Sequence, residues 1–167
     1  MTSLLYSADP NHKPEVALAL TPFRALCGFK PVAEIAAYLQ ETPELQALIP
    51  KSVVDAFLEA ASAGDEDPQA RSSLKEVFHS LMSASEDDVK QNLDKLVARY
   101  GALSDRQHGS GIIDLVLTLH DQFPGDIGIF CGFILNEVIL KLGEAIFLGA
   151  GEPHAYVSGG TFCLLSE

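Results

Sequence analysis

The chain has 167 residues, of which 47% are hydrophobic and 20% are charged, and its formal net charge is −12. This length suits one domain, or a compact piece with an insertion, and the composition is far from that of a disordered polypeptide. The balance of 23 acidic against 11 basic residues argues against binding to nucleic acid or to an anionic membrane surface.

The cysteines and the amino terminus indicate the compartment. Cys27, Cys131 and Cys163 are widely separated, odd in number and form no C-x-x-C pair, which favours a reducing environment. No basic region leads into an apolar core at the start, and no run of about twenty apolar residues occurs, so we expect neither a signal peptide nor a membrane span. A cytoplasmic protein is predicted.

The first distinctive stretch is residues 8–15, Ala-Asp-Pro-Asn-His-Lys-Pro-Glu. Its two prolines favour an extended backbone, which would place Lys13 and Glu15 on one side. A strand is predicted from about Val16 to Leu20, ended by Thr21-Pro22, and no other element is predicted before residue 30. Local chemistry alone is also satisfied if both charges simply lie at the solvated surface.

From Pro31 onward the apolar residues recur at helical spacing. Five helices are predicted, beginning near Pro31, Pro50, Asp67, Ser85 and Ile112, with the last one ending near Gln122. The apolar stripes expected to form their core are Val32, Ile35, Ala36 and Leu39; Val53, Val54, Phe57, Leu58 and Ala61; Leu74, Val77, Phe78 and Leu81; Val89, Leu93, Leu96, Val97 and Tyr100; and Ile113, Val116, Leu117 and Leu119.

After Pro124-Gly125 the pattern becomes that of short strands separated by glycine turns. The four β-prone segments are Ile127 to Leu135, Glu144 to Leu148, Ala155 to Val157 and Thr161 to Leu165. Strands, then helices, then strands indicate an α+β chain in which a helical module is inserted into a β-barrel or sandwich. The predicted domains are residues 1–29, 30–123 and 124–167.

A second distinctive stretch, residues 143–156, ends in Glu-Pro-His-Ala-Tyr. A glycine turn followed by a histidine just inside the next strand is one way for a small barrel to present a metal ligand to its interior. A Pro-His pair alone is weak evidence, and by itself it is explained better by a structural role for His154.

Taken together, the two stretches resemble type I mannose-6-phosphate isomerases, also called phosphomannose isomerases, which are zinc enzymes. The similar strings are Asn-His-Lys-Pro-Glu at 11–15 with residues 21–31, Pro-Gly-Asp-Ile-Gly at 124–128, and Gly-Glu-Ala-Ile-Phe-Leu with Glu-Pro-His-Ala-Tyr within 143–156. They occur in the family's order from Asp9 to about Ser158, so the resemblance covers nearly the whole chain.

The resemblance implies a fold and a chemistry. The strands at both ends would be parts of a cupin-like barrel or jelly roll, and the helices would be its insertion domain. Glu15 and His154 match zinc ligands of the family, and Lys13 matches an active-site lysine near the sugar. The implied reaction interconverts mannose 6-phosphate and fructose 6-phosphate, within mannose and GDP-mannose metabolism, while zinc polarises the substrate oxygens.

The chain also departs from the family's pattern. The family has a Gln-x-His motif upstream of the first string that completes the zinc site, and acidic residues and an arginine downstream of the second; neither is found here. Residues 159–167 differ from the family, and its second barrel is missing. We therefore expect a shortened member, impaired on its own, which would use a partner chain to complete the barrel.

Two other functions remain open from the sequence. One is a non-catalytic remnant of the enzyme that acts as a partner-binding module. The other is a small cupin-type protein that uses the pocket around His154 to bind a small acid or sugar without isomerising it.

Overall fold

The structure is a computed structural model that describes residues 14–104 and 111–165. The chain divides into two compact units, of which one is Met1–Phe29 with Leu135–Glu167 and the other is Lys30–Ile134. The described part of the first unit is built of strands, and that of the second is built of helices. This confirms the predicted α+β chain in which a helical domain is inserted between strands. The division into residues 1–29, 30–123 and 124–167 stays a prediction.

The part of the strand unit that the structure describes contains two antiparallel sheets of three strands each. In one sheet the order is β4 (Ala145–Leu148), β1 (Glu15–Ala19), β6 (Thr161–Leu165). In the other the order is β3 (Leu135–Leu140), β2 (Phe23–Phe29), β5 (His154–Ser158). Within the described residues the strands therefore form two partial sheets and not a closed barrel.

Side chains from both sheets form the core of the strand unit. Ala19 of β1 is buried with Phe23 and Ala25 of β2, and Ile146 and Tyr156 pack against this group. Because successive side chains of a strand point to opposite faces, the face of β1 that carries Ala19 also carries its first residue. The candidate site lies at the end of this face that Glu15 occupies.

The described residues of the helical unit form five long helices and two single turns. They are α1 (Val32–Glu41), α2 (Pro43–Gln46), α3 (Lys51–Ala61), α4 (Pro68–Met82), α5 (Glu86–Ser104), α6 (Ile112–Gln122) and α7 (Gly128–Cys131). The long helices begin within a residue or two of the predicted positions, and two of them carry a side-chain cap, at Asp67 and Ser85. The carboxylate of Asp67, for example, accepts the backbone N–H groups of Gln69 and Ala70 at 2.8 and 3.0 Å.

The predicted apolar stripes form the interior of this unit. Ile35, Leu39, Phe57, Val77 and Leu96 are completely buried. The margins of the stripes, such as the side chains at positions 36, 58 and 97, are only half-buried, as expected at the edges of an amphipathic face. Within the described residues, no helix is both long enough and apolar enough to cross a bilayer.

The structure corrects two of the predicted elements. Residues Phe23–Phe29, for which no element was predicted, form the central strand β2, which accommodates Gly28 through a bulge. The predicted strand from Ile127 to Leu135 is wrong, because the segment begins with the short helix α7 and β3 starts only at its last residue. The prediction failed because a buried apolar run has no polar face to reveal its period. The helical turn starts at Asp126, whose carboxylate accepts the N–H of Gly128 at 2.6 Å.

Candidate metal centre

Glu15 is the first residue of β1, the central strand of its sheet. It pairs with Leu148 of β4 on one side and with Leu165 of β6 on the other. Pairing on both sides fixes the backbone, and the pleat places its side chain on the same face as Ala17 and Ala19. The side chain is 26% exposed, so its carboxylate lies at the rim of the interior.

His154 is the first residue of β5, at the edge of the other sheet. It is paired with Cys27 of β2, and its side chain shares a face with Tyr156. The imidazole lies against the Tyr156 ring with the centroids 5.7 Å apart, and that ring meets Phe23 edge-on at 5.2 Å. Aromatic packing therefore links the histidine to the buried core.

The two side chains converge although they are 139 positions apart in the chain (154 − 15). His154 Nε2 lies 3.6 Å from Glu15 Oε2. Two ligands of one tetrahedral zinc, with bonds of about 2.0–2.2 Å, lie about 3.3–3.6 Å apart. The spacing of the carboxylate and the imidazole therefore suits a shared metal ion, and both are donor types that zinc accepts.

The other nitrogen of His154 is occupied by a hydrogen bond. Nδ1 lies 2.9 Å from the backbone carbonyl oxygen of Glu152. A carbonyl oxygen can only accept, so the proton of the neutral ring is on Nδ1. Nε2 then keeps its lone pair, and it is this nitrogen that faces Glu15, as in histidines that bind metals.

Two further groups near the pair remain protonated at neutral pH. Burial raises the pKa of the Tyr156 hydroxyl, and its contact with Cys163 Sγ at 3.4 Å raises it further. Burial also raises the pKa of the Cys27 thiol, with a smaller contribution from the nearby Glu152 carboxylate. Tyr156 and Cys27 therefore add no negative charge next to Glu15 and His154.

The structure describes two of the three predicted site residues. Glu15 and His154 are brought together, whereas Lys13 lies outside the described residues. Within residues 14–104 and 111–165, no third His, Cys, Asp or Glu joins the pair to form a metal-binding group. The sequence reasoning did not assign roles to Glu152 or Cys163; the only signal for Glu152 was its place in the Glu-Pro-His string.

Comparisons with known families match most of the chain. The type I phosphomannose isomerase helical insertion domain matches residues 48–135, and the catalytic domain of the same family matches residues 4–32. The first of these alone covers more than half of the chain.

Individual relatives agree with these matches. The chain is 40% identical to a mannose-6-phosphate isomerase of Cryptococcus neoformans and 44% identical to that of Rattus norvegicus, in each case over 90% of this chain and 38% or 36% of the relative. A zinc-bound crystal structure of mannose 6-phosphate isomerase superposes with a TM-score of 0.69 at 32% identity, covering 95% of this chain and 36% of that one. The chain thus spans a little over a third of the length of these relatives, and it belongs to the type I phosphomannose isomerase family.

Proposed function

We propose that this chain contributes part of the active site of a zinc-dependent mannose-6-phosphate isomerase, with Glu15 and His154 as zinc ligands. The observation that carries the proposal is the 3.6 Å approach of the carboxylate and the imidazole, which come from different sheets. Family membership supports the reaction, and the zinc-bound neighbour supports the metal. A catalytic zinc normally has three protein ligands, so one more ligand from outside the described residues is part of the proposal.

Each residue has a defined task in this proposal. Glu15 and His154 hold the metal, which when bound supplies Lewis-acid polarisation of the substrate oxygens. The packing of His154 against Tyr156 and its hydrogen bond to the Glu152 carbonyl orient the ring before a metal arrives. Lys13 is proposed to contact the sugar, and the reaction moves a proton between C1 and C2 of mannose 6-phosphate to give fructose 6-phosphate.

The reaction is tested with the purified chain and mannose 6-phosphate, with and without added zinc. Glu15→Ala removes a proposed ligand, and Glu59→Ala removes an exposed carboxylate of α3 as a matched control. Because the chain is proposed to supply only part of the site, we expect weak zinc-dependent turnover that is lost in Glu15→Ala and kept in Glu59→Ala. Turnover that survives Glu15→Ala would contradict the assigned role, and no turnover at saturating zinc would favour the second candidate function.

The second candidate is a non-catalytic module that binds a partner chain. It is favoured by the face of the β4–β1–β6 sheet that carries Phe147 and Phe162, whose side chains are 67% and 54% exposed. Large exposed apolar side chains that share a sheet face are typical of a contact surface. Phe147→Ser with Phe162→Ser should then reduce association measured by sedimentation; unchanged association would exclude this face as the contact surface.

The cellular setting follows from the same proposal. We propose a cytoplasmic protein of mannose and GDP-mannose metabolism. Its three cysteines are all free, which suits a reducing compartment.

A further inference from the structure

The turn between β4 and β5 is closed by the side chain that precedes Pro153-His154. The backbone N–H of Gly149 donates to Glu152 Oε2 at 3.0 Å, and the backbone N–H of Glu152 donates to the Gly149 carbonyl at 3.1 Å. These two bonds tie the start and the end of the turn together. The carboxylate therefore determines where the main chain of residue 152 lies.

The same carboxylate occupies a space that a glycine leaves open. Gly28, in the bulge of β2, has a φ of +61°, and a Cβ atom built on it would lie 2.6 Å from Glu152 Oε1. The N–H of Gly28 also donates to the Pro153 carbonyl at 3.0 Å. On the far side of the bulge, Asn136 Nδ2 donates to the carbonyl of Phe29 at 2.8 Å. A side chain at residue 28 would therefore displace the Glu152 carboxylate from its place against the bulge.

We propose that Glu152 is a positioning residue for the zinc ligand His154, and that the absence of a side chain at Gly28 makes room for the Glu152 carboxylate. Its side chain holds the turn so that its own carbonyl oxygen accepts the Nδ1 proton of His154 at 2.9 Å. This keeps Nε2 free of a proton and directed at Glu15 Oε2. The proposal rests on the proposed function only in taking His154 as the zinc ligand; the hydrogen bond exists without a metal.

The role of Glu152 in this arrangement is hydrogen bonding, not charge. A glutamine could accept the Gly149 N–H through its own oxygen and fill the space over Gly28 equally well. Alanine could do neither. The conservative variant Glu152→Gln should therefore behave as the parent chain, and Glu152→Ala should not.

The chain contains matched controls for both residues. Glu144 closes the turn between β3 and β4 in the same way, by accepting the Lys141 N–H at 2.7 Å. This turn does not lead into His154, which follows the turn between β4 and β5. Gly143 has a φ of +84°, and a Cβ atom added to it would meet nothing within 4 Å, so its replacement by alanine imposes backbone strain without displacing a carboxylate. Glu144→Ala thus reproduces the loss of a turn-closing carboxylate, and Gly143→Ala reproduces the backbone strain of an alanine at positive φ, without affecting the turn before His154.

The tautomer of His154 is measured directly by long-range ¹H–¹⁵N correlation on the metal-free full chain. The work is done at about pH 8.5, well above the ordinary imidazole pKa of about 6.5. His154→Gln assigns the signal among the 5 histidines. We expect the Nδ1–H form in the parent chain, in Glu152→Gln and in both controls, and a mixture of tautomers in Glu152→Ala and Gly28→Ala.

Zinc titration of the same variants provides the second measurement. Affinity should fall about 10- to 100-fold in Glu152→Ala and Gly28→Ala, which is usual when the partner of a ligating histidine is lost, and should be unchanged in the controls. If Glu152→Ala and Gly28→Ala both keep the Nδ1–H tautomer of the parent chain, the positioning role is overturned. If Glu152→Ala does not fold, the tautomers of Gly28→Ala and Gly143→Ala are compared, and the same tautomer in both would overturn the role. A chain that shows the expected tautomers but binds no zinc would instead contradict the proposed function and leave the positioning role intact.

Discussion

Replacing Arg99 by methionine is expected to destabilise the helical unit by about 2 kcal/mol. The guanidinium of Arg99 in α5 makes two hydrogen bonds to the carboxylate of Glu44 in α2, from Nε at 3.0 Å and from Nη2 at 2.6 Å. The Glu44 side chain is only 9% exposed. Methionine keeps much of the aliphatic length of arginine but leaves this carboxylate without its partner.

The magnitude follows from the burial of the two partners. Breaking a fully buried pair by removing one member costs about 3–5 kcal/mol. The Arg99 side chain is 37% exposed, so water can replace part of what it supplies to Glu44, and the expected cost falls below that range, to about 2 kcal/mol. In a double-mutant cycle with Glu44→Gln, a coupling energy of about 1–2 kcal/mol should remain.

The contribution of this pair should also depend on pH. Burial by itself would raise the pKa of Glu44, but the hydrogen bonds and charge of Arg99 outweigh it, so that the pKa is lowered. A carboxyl with a lowered pKa in the folded state contributes stability above its unfolded pKa of about 4.3 and loses it as the pH falls through the folded value. The difference between the parent and Arg99→Met should therefore shrink below about pH 4.

The assay is urea unfolding followed by circular dichroism at neutral and acidic pH. Lys51→Met is the control, because Lys51 pairs with Asp55 at 2.7 Å but is 86% exposed, and such pairs contribute at most about 0.5 kcal/mol. Equal costs for Arg99→Met and Lys51→Met, or strict additivity in the cycle, would refute the reasoning.

Two further predictions concern a turn and the thiols. Gly159→Ala should lower the melting temperature far more than Gly151→Ala, because both have positive φ but only at Gly159 would the new Cβ lie 2.3 Å from a backbone carbonyl oxygen; equal shifts would contradict this. Maleimide should label Cys163 well before Cys131, because Cys163 is exposed while burial raises the pKa of the Cys131 thiol to about 12. Peptide mass spectrometry at short times distinguishes the two, and equal labelling would be the contrary result.

The helices could be predicted from the sequence because each carries its own signals. The stripe of Leu74, Val77 and Leu81 and the cap at Asp67 are local features, and both are found in α4. The segment after Asp126 was misassigned because a buried apolar run has the same appearance in a strand and in a short helix. Strand β2 was missed because its place between β3 and β5 depends on pairing with residues more than a hundred positions away.

The candidate site was predictable only in part. Glu15 and His154 were identified by the two strings that resemble the family. Their approach depends on how two different sheets lie together, which no local pattern contains. The hydrogen bond from His154 to the Glu152 carbonyl depends on a main-chain atom, which is the same in every residue type and leaves no trace in the sequence. Lys13 remains a prediction, as do the zinc-binding roles.

Equilibrium zinc binding to the full chain is the most direct test of the central claim, that Glu15 and His154 hold one metal ion together. The set comprises the parent, Glu15→Ala, His154→Ala and the double variant, with His79→Ala removing an exposed imidazole of α4 as the control. We expect each single variant to lose the site as completely as the double variant, and the control to bind as the parent does. Unchanged zinc affinity in either Glu15→Ala or His154→Ala would contradict the claim.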